Sequence, residues 1–170
     1  RTNLPISMPC SSTATSDIDP FVAPDGSRLF FASIRPVEGV ERKDLNLWMV
    51  ERVDDRWGEP VYLGDGVNSE RDELYPSVTA DGVLYFGSDR PGGHGGWDIY
   101  RAAPDESGAY PVAENLGVPV NSAAWEFNPT IAPDGSQLLF TALNRPGGAG
   151  AGDIYLSRTT DSGWSEPEPL

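Results

Sequence analysis

Three near-copies of one segment run along this chain, and that repetition limits its fold more than any single residue does. DPFVAPDGSRLFFAS, YPSVTADGVLYFGS and NPTIAPDGSQLLFTA align on Pro20, Pro76 and Pro129, which stand 56 and 53 residues apart. The pairs Asp25-Gly26, Asp81-Gly82 and Asp134-Gly135 keep the same spacing. Each is followed by an aromatic (Phe31, Phe86, Phe140) and an Arg-Pro pair beginning at Arg35, Arg90 or Arg145. Leu47-Trp48, Ile99-Tyr100 and Ile154-Tyr155 come next, then Trp57, Tyr110 and Trp164. The glycine-rich SDRPGGHGGWDIY is one version of a loop that returns as NRPGGAGAGDIY, so it reads as architecture and not as a unique active site. A unit of this size cannot bury its apolar faces alone, and neighbouring copies must stack.

Each copy reads as four short strands, A to D. Asp-Gly supplies the turn between A and B, and a two-residue turn is expected because both positions tolerate positive φ. Strand B alternates aromatic and small residues, the Arg-Pro-Gly loop leads to strand C, and a weak strand D ends at Leu63, Leu116 or Leu170. No window shows sustained helical periodicity. With 19 glycines and 16 prolines the composition favours short strands and tight turns. The expected fold is all-β: a β-propeller with three visible four-stranded blades, about 17–66, 73–119 and 126–170. Residues 1–16 are expected to be a leader resembling strand D plus a connector.

The pattern APDGSxLxF, then Arg, then DIY resembles the WD40-like PD40 repeat of TolB-type C-terminal domains. SDRPGGHGGWDIY together with VPVNSAAWEFNP is similar to PD40 repeats of bacterial envelope proteins, some of which carry peptidoglycan-binding domains. The resemblance implies a periplasmic or extracellular location and an envelope protein or peptidoglycan-associated partner. Three blades do not close a ring. Both ends read as cuts through continuing repeats, so the arc is expected to belong to a longer, six-bladed ring, or else to a half-ring that dimerises.

Charge narrows the partner. With 26 acidic against 12 basic residues the net charge is −14, which argues against nucleic acid and anionic membranes. No apolar run approaches the roughly 20 residues of a membrane span. Cys10 is the single cysteine and reads as an inert thiol.

Among candidate site residues, a two-residue turn at Asp81-Gly82 sets Glu73 opposite Arg90, and Asp17/Arg35 and Glu126/Arg145 nearly match. An acid–arginine tie in each blade is expected, with Asp17, Glu73 and Glu126 as structural ties. Its rival is an arginine cluster that binds an anion. Calcium is weighed at Asp98 or Asp153, but Asn46 stands at that place in the first copy, so strand-entry hydrogen bonding is preferred and no cofactor is expected. His94 is a lone loop residue without an identifiable catalytic partner. Trp97 and Trp125 do not recur, and both are candidate contact residues.

The leading expectation is therefore a non-catalytic binding or scaffold propeller of the cell envelope, using the face shared by the D–A connectors and B–C loops. The alternative is a glycan-active propeller, sialidase- or glycosidase-like, or the regulatory propeller of a larger hydrolase. TTDSGW at Thr159 to Trp164 loosely echoes an Asp box, and Glu70, Asp72 and Trp125 are non-repeated residues near the starts of strand A.

Overall fold

The computed structural model describes residues 16–39 and 44–170. These residues form three antiparallel sheets in chain order, and no helix among them is long and apolar enough to cross a membrane. The first blade comprises β1 (Asp17–Val22), β2 (Arg28–Ser33), β3 (Asn46–Val53), β4 (Arg56–Trp57) and β5 (Val61–Tyr62). The second comprises β6 (Glu73–Val78), β7 (Leu84–Ser88), β8 (Asp98–Ala102) and β9 (Ala113–Asn115). The third comprises β10 (Trp125–Ile131), β11 (Gln137–Leu143), β12 (Gly152–Thr160), β13 (Gly163–Trp164) and β14 (Glu168–Pro169).

In the first and third blades strand D is broken in two. β4 and β5 both pair with β3, and β13 and β14 both pair with β12. β6 packs against β1 on one side and β10 on the other, so the first strand of each blade is innermost and the sheets stack as an arc of a propeller. The leader falls almost wholly outside the described residues, as does Cys10.

Two details of register differ from expectation. The A–B turns are longer than two residues. The N–H of Gly26, Gly82 and Gly135 donates to the carbonyl three residues earlier, at Ala23, Thr79 and Ala132. Asp and its predecessor thus take the corners, and Gly, at φ 73°, 92° and 73°, carries the exit. The second difference is a bulge in each inner strand. Pairing slips between Ile18 and Phe21, between Leu74 and Ser77, and between Phe127 and Thr130. The anchor prolines sit in these bulges, where a missing N–H breaks no ladder bond. Consequently Glu73 lies opposite Ser88, Asp17 opposite Ser33 and Glu126 opposite Ala142, and none faces its arginine directly.

The core lies between blades. Phe30, Leu47 and Met49 of the first blade pack with Leu74, Val78, Leu84 and Phe86 of the second. Tyr85 and Ile99 of the second blade pack with Ile131, Leu138 and Phe140 of the third. Phe86 and Phe140 are fully enclosed, each stabilising the stack by about 1.5–3 kcal/mol relative to exposure.

Candidate functional site

The repeated arginines are enclosed by their own blades. Arg90 Nη2 lies 3.0 Å from Glu73 Oε1, and its Nε donates to Ser88 Oγ at 3.2 Å. The same Nη2 donates to the Val67 carbonyl in the preceding connector. Arg145 Nη1 lies 3.0 Å from Glu126 and also donates to the Val120 carbonyl, while Nη2 donates to the Pro119 carbonyl. Arg35 Nη2 lies 2.8 Å from Asp17, with its Nε donating to Ser33 Oγ. The mismatch of two or three residues in register is spanned by the length of the arginine side chain. Each guanidinium also lies over an aromatic pair, as Arg90 does at 5.4 Å from the Phe86 ring centre and 4.6 Å from that of Tyr100. A fork committed to a carboxylate, a carbonyl and a ring face has little left to offer an anionic ligand.

Glu73 and Glu126 are wholly buried. Ser69 donates to Glu73 through its backbone N–H and hydroxyl, and Ser122 does the same for Glu126. Burial nevertheless raises the Glu73 pKa above its ordinary value, against the lowering effects of Ser69, Arg90 and Ser88.

Beside each buried glutamate stands an asparagine that the repeat motifs do not single out. Asn68 Oδ1 accepts from the Leu47 N–H, and its Nδ2 donates to the Leu47 carbonyl. Asn121 makes the same pair of bonds with Ile99. The amide therefore replaces a strand-D residue beside strand C. The recurrence of Val-Asn-Ser at 67–69 and 120–122 was the available signal.

The B–C loop of the second blade is organised by Asp98. This buried carboxylate accepts from the N–H groups of His94 and Gly95 and from Asn115 Nδ2. In the third blade Asp153 accepts from the Gly150 N–H, and in the first Asn46 Nδ2 donates to the Asp44 carbonyl. Among the described residues no group of three or more His, Cys, Asp or Glu side chains is gathered around a common point for a metal. His94 is exposed. Gly95 and Gly96 admit the next blade: a Cβ on Gly95 would fall 1.8 Å from the Ala124 carbonyl oxygen, and one on Gly96 2.2 Å from the Trp125 indole nitrogen.

The two candidate tryptophans meet where blades two and three join. Trp97 and Trp125 form a parallel bridge, and the Glu126 N–H donates to the Trp97 carbonyl at 2.9 Å. Leu45 holds the equivalent place one blade earlier, accepting from the Glu73 N–H. Trp97 is half-buried against the inter-blade core, whereas Trp125 is 49% exposed, with one edge laid on Gly96. Glu70 is exposed, and Asp72 Oδ1 accepts from the Leu45 N–H, which ties it to the first blade.

A further row of residues lies on the inner strands. Asp19, Tyr75 and Asn128 each precede an anchor proline and have φ of 53°, 56° and 55°. Burial raises the Asp19 pKa, with the Tyr75 backbone N–H opposing it, and burial followed by the Asp19 charge raises that of Tyr75.

By architecture, the described residues are three blades of a β-propeller. No family model and no curated protein matches the chain. Among solved structures, an α-L-arabinofuranosidase from Lactobacillus brevis is similar, with a TM-score of 0.50 and 14% sequence identity. The likeness covers 89% of this chain and 55% of that enzyme, so the chain spans about half the length of the structure it matches. This corrects the expectation that the chain is not an enzyme. An arabinofuranosidase uses this architecture, and the fold gives no ground for setting catalysis aside.

Proposed function

We propose that this chain is a glycan-engaging segment of a PD40-type β-propeller at the bacterial envelope, in the periplasm or outside the cell. Its contact surface is the face where connectors and B–C loops meet, with Trp125 as the anchor. The observation that carries this reading is the exposure of Trp125: a large indole held on the Gly96 backbone with 49% of its surface open. A flat aromatic side of this kind suits the C–H face of a sugar ring, and unpartnered tryptophans concentrate binding energy. The repeated arginines are engaged within the fold and the chain carries −14 net charge, which favours a neutral glycan over a polyanionic one. The name of the similar arabinofuranosidase supports a saccharide over a protein partner.

The test is tryptophan fluorescence during titration with arabino-oligosaccharides and with neutral N-acetylglucosamine oligosaccharides, alongside release of nitrophenol from an aryl arabinofuranoside. Saturable quenching that weakens about tenfold or more in W125A is expected, in line with a hot-spot aromatic. Absence of binding by every oligosaccharide tested would overturn the reading. Nitrophenol release that tracks the oligosaccharide affinity would identify the glycan site as catalytic.

A further inference from the structure

We propose that Asp19, Tyr75 and Asn128, one from each blade, form a second carbohydrate subsite along the inner strands, for a neutral polyhydroxylated ring. This rests on the glycan reading above and assigns it a separate set of residues.

The three positions are structurally equivalent, each the left-handed bulge residue before an anchor proline. The arginines that hold each blade together recur unchanged at Arg35, Arg90 and Arg145. Here the proline and the bulge are kept while the side chain changes from carboxylate to phenol to amide. Backbone geometry alone favours Gly, Asn or Asp at such a place and disfavours Tyr, so Tyr75 is the member of the row that the bulge does not account for.

The row is continuous. β6 lies between β1 and β10, the Asp19 carboxylate faces the Tyr75 backbone N–H, and the Tyr75 ring centre is 5.9 Å from that of Phe127, beside Asn128. Asp19 Oδ2 is buried with no hydrogen-bond partner among the described residues. An acceptor in that condition is poised for a donor brought by a ligand. Asn128 is exposed, and its amide both donates and accepts. Together the row offers acceptors for vicinal hydroxyls, the partly exposed ring of Tyr75 for C–H groups and a carboxylate with no ion pair among the described residues. That combination suits a neutral sugar and not an anion.

Glycine keeps the positive φ at these positions while removing the side chain, so D19G and N128G separate ligand contact from backbone strain. The 170-residue chain and both variants, with W125A beside them, are titrated with arabinotriose, cellotriose and chitotriose by amide-detected NMR. The expected result is that D19G weakens binding about tenfold or more and N128G about threefold, with thermal midpoints close to that of the parent and with shifts at Asp19, Tyr75 and Asn128. Unchanged affinity in D19G and N128G with loss in W125A overturns this subsite and leaves the connector-face reading standing. Loss in D19G with W125A unaffected supports the subsite and removes Trp125 as the anchor. No binding of any of the three sugars by the parent chain overturns the subsite.

Discussion

Arg90 shows how one side chain serves a blade through several contacts at once. Its guanidinium closes a charge pair with a carboxylate that has no solvent, accepts the face of two rings and reaches a connector carbonyl. Removing it leaves Glu73 buried without its countercharge, so R90A is expected to destabilise the fold by about 3–5 kcal/mol in urea unfolding. The exposed Arg101–Glu114 pair serves as the control, and R101A should cost no more than about 1 kcal/mol. The pH dependence follows from the raised Glu73 pKa. A carboxyl whose folded pKa exceeds its unfolded value helps stability most below the unfolded value, and that help is lost as pH rises through the folded pKa. Loss of Arg90 raises the Glu73 pKa further, so the cost of R90A should be larger at pH 8 than at pH 5. A cost that does not change with pH would show that Glu73 does not titrate there.

At the scale of the element, the connectors do the work of missing strand residues. Strand D is short in the second blade and split in the others, which leaves the start of strand C in need of partners. Asn68 and Asn121 fill that gap with paired amide bonds to Leu47 and Ile99. In N121A the Ile99 N–H loses its partner inside the protein, at a cost of about 1–3 kcal/mol, while the Ile99 carbonyl keeps the Leu116 N–H. Hydrogen exchange at the Ile99 amide checks this: its protection should fall more than the global stability does. Equal falls would mean that the amide bonds are no more than part of the general fold.

For the molecule as a whole, stability passes from blade to blade through the packed layers between them. The second blade presses on both neighbours, through the Phe86 layer on one side and the Tyr85 and Ile99 layer on the other. F86A opens a cavity in the first layer and should cost about 3–5 kcal/mol, as should F140A in the second. Their spread differs in a stack coupled by nearest neighbours. F86A should lower exchange protection in both β2 and β7, whereas F140A should lower it in β11 and β7 and leave β2 nearly unchanged. Equal loss throughout in both variants would mark a single cooperative unit.

Repetition made the propeller legible in the chain itself. Three copies of one alternating pattern force three copies of one local structure, and a unit with two apolar faces has to stack. The recurring acids and arginines were legible for the same reason, but their register was not. The turn gained residues and each inner strand bulges at Asp19, Tyr75 or Asn128, features set by how strands fit a curved stack. Tertiary structure alone placed Asn121 against Ile99, because an amide in a loop serves a turn, the solvent or a distant strand equally well until the chain closes. It alone separated Trp97, which turns into the core, from Trp125, which remains open. Composition and spacing act along the chain, whereas exposure and pairing depend on which blade arrives alongside.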